Sequence, residues 1–133
     1  MGNPRILIVE DDADVRLGYE VMLKANHYET CVAVDSLSAA SEASKHRPDL
    51  IILDLGLPAG DWQGDGFVVL ERFLADKDLA EIPVIVVSAR DARGNRERAL
   101  KAGARAYVQK PWDDDELLAL IKEHAGGAAV SIS

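Results

Sequence analysis

The chain has 133 residues, 48% of them hydrophobic and 29% charged, with a net charge of −8. That length suits one domain able to bury a core without covalent staples. The charge argues against general nucleic-acid binding, and no apolar run approaches the roughly 20 residues of a membrane span.

Met1-Gly2-Asn3-Pro4-Arg5 leads straight into a strand-like run, so no secretory signal is expected. Cys31, the one cysteine, has no partner for an internal disulfide, which fits a reducing cytoplasm. Its place in a strand-like run reads as a buried structural thiol. The charge is uneven. Between Ser88 and Lys110 seven basic residues face only Asp91 and Glu97, a local balance of +5 that leaves −13 elsewhere. That stretch is either a solvated helix face or a partner-facing surface.

Arg5 to Val9 is a short apolar run that predicts a first buried strand, ending in Glu10-Asp11-Asp12. Val15, Tyr19, Met22 and Leu23 recur at helical spacing, with Asp12 or Asp14 favouring the helix start and Lys24 and Asn26 marking its end. Tyr28 to Val34 predicts a second strand. Asp35 or Ser36 caps a second helix with Leu37, Ala40 and Ala43 on one side, stopped by His46-Arg47-Pro48.

Leu50 to Leu53 predicts a third strand, buried on both faces and ending in the carboxylate of Asp54 before Gly56 and Pro58 open a loop. A third helix places Phe67, Leu70, Phe73 and Leu74 inward. Val84 to Val87 predicts a fourth strand ending at Ser88, and a fourth helix runs from Asp91 to a closing Gly103. Ala104 to Gln109 predicts a fifth strand ending at Lys110-Pro111. Asp113 and Glu116 have the spacing of a capping box for a last helix, whose Leu117, Leu118 and Ile121 pack inward. Gly126-Gly127 ends it. Five alternations of strand and helix predict an α/β fold with one parallel sheet, helices on both faces and right-handed crossovers.

In such a sheet ligands bind at the carboxyl ends of the strands. Those ends carry Glu10-Asp11, Asp54, Ser88 and Lys110. Carboxylates gathered there repel, so they need a cation or raised pKa values, and an all-oxygen set suits Mg²⁺. His27, His46 and His124 lie at helix ends away from this rim, which argues against zinc. A bare carboxylate at Asp54 reads as a metal ligand, a nucleophile or a helix cap; beside a metal, which organises phosphoryl transfer, it could attack phosphorus to give an aspartyl-phosphate. The metal, Lys110 and Ser88 would take the three equatorial phosphoryl oxygens.

The runs Ile-Leu-Ile-Val-Glu-Asp-Asp, Asp-Leu-Ile-Ile-Leu-Asp-Leu-Gly-Leu-Pro, Pro-Val-Ile-Val-Val-Ser-Ala and Ala-Gly-Ala-Arg-Ala-Tyr-Val-Gln-Lys-Pro, in this order, resemble the receiver domain of two-component response regulators. The resemblance covers about residues 5 to 125. It implies the doubly wound (βα)5, flavodoxin-like or CheY-like fold, with a five-stranded parallel sheet in the order 2-1-3-4-5. It also implies a receiver domain over 1–125 and a short tail or linker stub over 126–133.

By this resemblance Asp54 accepts a phosphoryl group from a sensor histidine kinase or a histidine phosphotransfer protein. Asp11 and Asp54 bind Mg²⁺, with Mn²⁺ as an alternative, Glu10 acts largely through water, and the Gly56 carbonyl completes the protein ligands. Ser88 is the switch hydroxyl, Tyr107 the aromatic rotamer switch, and Lys110 the partner of the phosphoryl oxygens, with Lys110-Pro111 as a cis peptide. The face made by the fourth helix, fifth strand and fifth helix controls a downstream effector or homodimerisation, with no direct nucleic-acid binding and no membrane.

Pro58 stands about four residues further from Asp65-Gly66-Phe67 than in the family pattern, an apparent insertion at Ala59–Gly64 with Trp62 near its tip. Gly56 and Arg90 occupy the positions that tune phosphoryl lifetime in the family. A phosphatase of the haloacid dehalogenase type wants a second acid where Gly56 stands. A flavodoxin-like cofactor carrier wants a Ser-, Thr- and Gly-rich loop where Glu10-Asp11-Asp12 stands.

Overall fold

The computed structural model describes residues 3–55, 66–88 and 92–125. Five strands, β1 (Arg5–Val9), β2 (Glu29–Ala33), β3 (Leu50–Asp54), β4 (Val84–Ser88) and β5 (Ala106–Gln109), alternate with five helices. These are α1 (Ala13–Ala25), α2 (Ser36–His46), α3 (Gly66–Ala75), α4 (Ala92–Ala102) and α5 (Asp114–His124). The strands form one sheet in the order β2-β1-β3-β4-β5, and every neighbouring pair is parallel. β3 and β4, near the middle, are buried along their whole length, as their unbroken apolar runs require. β2 is shorter than its Tyr28–Val34 run because its ladder ends where β1 ends, with Val9 opposite Ala33.

Alternation along the strands divides the core into two layers. Leu7, Val9, Ile51, Leu53, Val84, Val86 and Tyr107 face α2, α3 and α4, meeting Ala39, Ala43, Phe67, Leu70, Phe73 and Ala99. Ile6, Ile8, Leu50, Ile52, Ile85, Val87 and Val108 face α1 and α5, meeting Tyr19, Met22, Leu23, Leu117 and Ile121. On α2 the fully buried positions are Ala39 and Ala43, with Ala40 at the margin, while the Leu37 side chain lies outside the described residues. Leu74 and Leu118 are likewise only partly buried.

The helix ends show how local chemistry stops and starts each element. Asp12 caps α1 by accepting from the N–H groups of Asp14 and Val15, at 2.8 and 3.1 Å. Asp35 caps α2 through the N–H of Ser38, and Arg47 ends that helix in a left-handed conformation with φ of 48°. Asp113 occupies the cap position of α5 but makes no side-chain cap hydrogen bond, so the predicted capping box does not form. Asp114, Asp115 and Glu116 favour that helix start instead, through their charge against its dipole.

Gly103, just past α4, has φ of +116°, and a Cβ built there would lie 2.6 Å from Leu74 Cδ1. Gly103→Ala is therefore expected to cost about 1–3 kcal/mol in chemical denaturation, mostly backbone strain because the Leu74 methyl is able to yield. An unchanged denaturation midpoint would contradict this.

Candidate functional site

The register sets the site. Val9 pairs with Leu53, Asp54 with Val87, and Ser88 with Gln109, so the chemistry-bearing residues fall at the same rim of the sheet. Side-chain alternation then sorts them. Glu10, Asp54 and Lys110 continue the rows of Ile8, Ile52 and Val108, which face α1 and α5. Ser88 continues the row of Val84 and Val86, on the α2–α4 side with Tyr107.

On the α1–α5 side, the Lys110 ammonium donates to Glu10 Oε1 at 2.9 Å and to Asp54 Oδ2 at 3.2 Å. Glu10 and Asp54 are buried, and Lys110 is mostly covered. Asp11 is exposed, yet one carboxylate oxygen from each of Glu10, Asp11 and Asp54 lies within 4.8 Å of the others. Burial pushes the Glu10 carboxyl up to about 7, aided by the Asp54 charge and opposed by Lys110. Burial alone would lower the Lys110 pKa. The hydrogen bond it donates to Glu10 and the charges of Asp54 and Glu10 prevail, so the ammonium sits above its ordinary value.

The β1–α1 turn is held by Arg16, whose Nη1 donates to the carbonyls of Glu10 and Asp11, both at 3.0 Å. The Asp12 N–H adds a 3.3 Å bond to Glu10 Oε2. No sequence pattern marks Arg16 for this task, since it reads as an ordinary helix-surface residue. Opposite, Ser88 is fully buried and Tyr107 is packed inward at 5% exposure. The Lys110 N–H donates to the Ser88 carbonyl at 2.8 Å, and the Lys110–Pro111 peptide is cis. Gly56, Arg90 and the Ala59–Gly64 insertion with Trp62 lie outside the described residues.

Glu10 titration carries a stability consequence in metal-free protein. Its folded pKa, about 7, lies above the ordinary 4.5, so its contribution is fully present below about pH 4.5 and is lost as pH rises through about 7. Urea denaturation in chelator is expected to show this loss in wild type and a flatter profile in Glu10→Gln. Parallel profiles would contradict it.

The sequence matches the response regulator receiver domain over residues 6–122. The chain belongs to the response regulator receiver family. Among curated relatives, this receiver is 39% identical to the response regulator PleD of Caulobacter vibrioides, over 89% of the chain and 25% of PleD. It is 34% identical to the polar-differentiation response regulator DivK of Brucella anthropi, over 92% of the chain and 97% of DivK. The chain spans only about a quarter to a half of the length of several of the curated relatives it matches.

Among solved structures, the receiver domain of the sensor histidine kinase PA1611 from Pseudomonas aeruginosa PAO1 superposes with a TM-score of 0.82 at 29% identity. The match covers 94% of this chain and 99% of that one, and that structure has a magnesium ion coordinated in its active-site cleft. This receiver is a signalling module of the two-component type. Its strand order is that of the CheY-like flavodoxin fold. No helix among the described residues is long and apolar enough to cross a membrane. Cys31 is half-buried, not fully enclosed, and burial pushes its thiol up to about 11.

Proposed function

We propose that this receiver accepts a phosphoryl group on Asp54, in a Mg²⁺-dependent transfer from a histidine kinase or a histidine phosphotransfer protein. The observation that carries the reading is the convergence of Glu10, Asp11 and Asp54 beside the Lys110 ammonium at one rim. Three carboxylates against one ammonium leave excess negative charge, and an all-oxygen donor set of this kind fits a hard divalent cation. Asp11 and Asp54 would hold it directly, Glu10 through water, and the Gly56 carbonyl would complete the protein ligands. When bound, Mg²⁺ supplies charge neutralisation for the incoming phosphoryl group.

An Asp54 carboxylate oxygen attacks phosphorus while the bond to the donor's leaving atom breaks, and that atom departs with the electron pair. Lys110 shifts part of its hydrogen bonding from Asp54 to a phosphoryl oxygen. The Ser88 hydroxyl, on the opposite face of the sheet, takes another. Tyr107 shares that face with Ser88, so rearrangement at Ser88 reaches the packing around Tyr107.

The switched surface is the α4–β5–α5 face. It pairs exposed basic residues, Arg96, Lys101 and Arg105, with the acids Asp113 to Glu116 at the start of α5. Such a face suits a downstream effector or a second copy of the chain, and a few kcal/mol of differential binding is enough to shift its populations. The half-buried thiol fits a reducing cytoplasm as the site of action. Treating the protein with acetyl phosphate and Mg²⁺ and mapping the adduct by peptide mass tests the proposal. A single phosphoryl group on the Asp54 peptide, dependent on Mg²⁺, is the expected result, and an adduct elsewhere or none would overturn it.

A further inference from the structure

Two aromatic residues lie on the same side of the sheet as the acid cluster. Tyr19 belongs to the layer facing α1 and α5, the layer whose strand rows end in Glu10, Asp54 and Lys110. Side chains on a helix lean toward its N-terminus, and the N-terminus of α1 lies at the rim that carries the site, so the Tyr19 phenol leans toward the carboxylates. The electrostatics agree with that placement. Burial raises the phenol's pKa, and the charges of Glu10 and Asp54 raise it further. Its hydroxyl is the one buried side-chain polar atom without a hydrogen-bond partner among the described residues.

The ring of Tyr19 is stacked on Trp112, with centroids 4.3 Å apart and planes 5° from parallel. Trp112 is two residues beyond Lys110, and its indole N–H donates to Asp114 Oδ1 at 2.8 Å, in the first turn of α5. The segment that carries Lys110 is thus held at both ends. On one side the Lys110 N–H is bonded to β4, and on the other Trp112 is pressed against α1 and tied to α5. A lysine has a long flexible stem, so the place of its ammonium depends on a fixed backbone beneath it.

We propose that Tyr19 is a positioning residue: by stacking on Trp112 it fixes the Lys110–Trp112 segment, and so holds the Lys110 ammonium between Glu10 and Asp54. The contribution to phosphoryl transfer rests on the function proposed above, whereas the positioning of the ammonium does not. The ring does this, so Tyr19→Phe keeps the stack and Tyr19→Leu removes it.

The test reads Lys110 directly, by nitrogen-15 NMR of the lysine ammonium groups in metal-free protein, with Lys110→Met used for assignment. A protected Lys110 ammonium signal is expected in wild type and Tyr19→Phe, and a rapidly exchanging or missing one in Tyr19→Leu with a preserved amide spectrum. Where Tyr19→Leu does not fold, Trp112→Leu removes the same stack from the loop side and is read identically. An unchanged Lys110 signal in the folded variant overturns the proposal.

Kinetics with acetyl phosphate and Mg²⁺ form a second arm. Tyr19→Leu is expected to slow phosphorylation about tenfold with Mg²⁺ affinity within about twofold, and to add nothing in a Lys110→Met background. Equal slowing in both backgrounds would mean a general structural effect and would overturn the proposal. A wild type that takes no phosphoryl group defeats the Asp54 reading instead, and the NMR result still decides the role of Tyr19.

Discussion

Asp54→Ala and Asp54→Asn are both expected to abolish the phosphoryl adduct formed with acetyl phosphate and Mg²⁺, with intact-mass spectrometry as the check. The expectation follows from chemistry at one atom. Asp54 ends β3, buried at 6% exposure, with Oδ2 3.2 Å from the Lys110 ammonium. An amide in its place keeps an oxygen able to accept that hydrogen bond but has no carboxylate oxygen to attack phosphorus. The pair separates nucleophile from packing. Asparagine preserves the shape of the side chain and alanine does not, so equal loss in both points to the nucleophile.

Neither change should unfold the protein. Removing the Asp54 charge relieves the repulsion that helps hold the Glu10 carboxyl near 7, which offsets part of the lost ion pair. Lys110 keeps Glu10 as its partner, so no buried charge is left unpaired, and stability in metal-free buffer is expected within about 1 kcal/mol of wild type. A phosphoryl adduct that survives in either folded variant would refute Asp54 as the acceptor.

On the proposed reading, Lys110→Met should leave the Asp54 acceptor in place and remove the charge that would face the phosphoryl oxygens. Methionine retains an apolar stem for packing, so the loss is electrostatic. Removing one pre-positioned donor of this type commonly costs about 100-fold in rate, and a drop of that order in phosphorylation is expected. Mg²⁺ affinity should hold or rise, because one competing cation has left the carboxylates. The metal-free fold should lose about 1–3 kcal/mol, less than the 3–5 typical of breaking a fully buried pair. Lys110 is partly exposed, and Glu10 is able to take up a proton when its partner goes. Mg²⁺ should restore much of that stability, and a rate within threefold of wild type would contradict the assignment.

Much of this receiver is legible in its sequence because the deciding signals are local. The apolar runs Arg5–Val9, Leu50–Leu53 and Val84–Val87 specify strands buried on both faces, and their ends carry Glu10, Asp54 and Ser88 to one rim once the sheet is parallel. Asp12 and Asp35 cap helices through N–H groups two or three residues away, and Gly103 accepts a backbone angle that other residues resist. The repulsion among Glu10, Asp11 and Asp54 is foreseeable from charge alone, and with it the need for a cation.

Only the tertiary structure decided which side chains meet across elements. Glu10 and Lys110 are 100 residues apart, and their 2.9 Å contact depends on β1 and β5 reaching the same rim through β3 and β4. Periodicity assigns Tyr19 to the buried face of α1 but does not show that its ring lies flat on Trp112, 93 positions away in sequence and in the loop between β5 and α5. Arg16, which holds the β1–α1 turn through two carbonyls, carries no mark in the sequence because its partners are backbone atoms. The spacing of Asp113 and Glu116 suggested a cap that the folded chain does not make. Residue type and spacing govern the hydrogen bonds and faces within one element, whereas contacts between elements depend on how those faces are brought together, and that is set by the packing of the whole sheet.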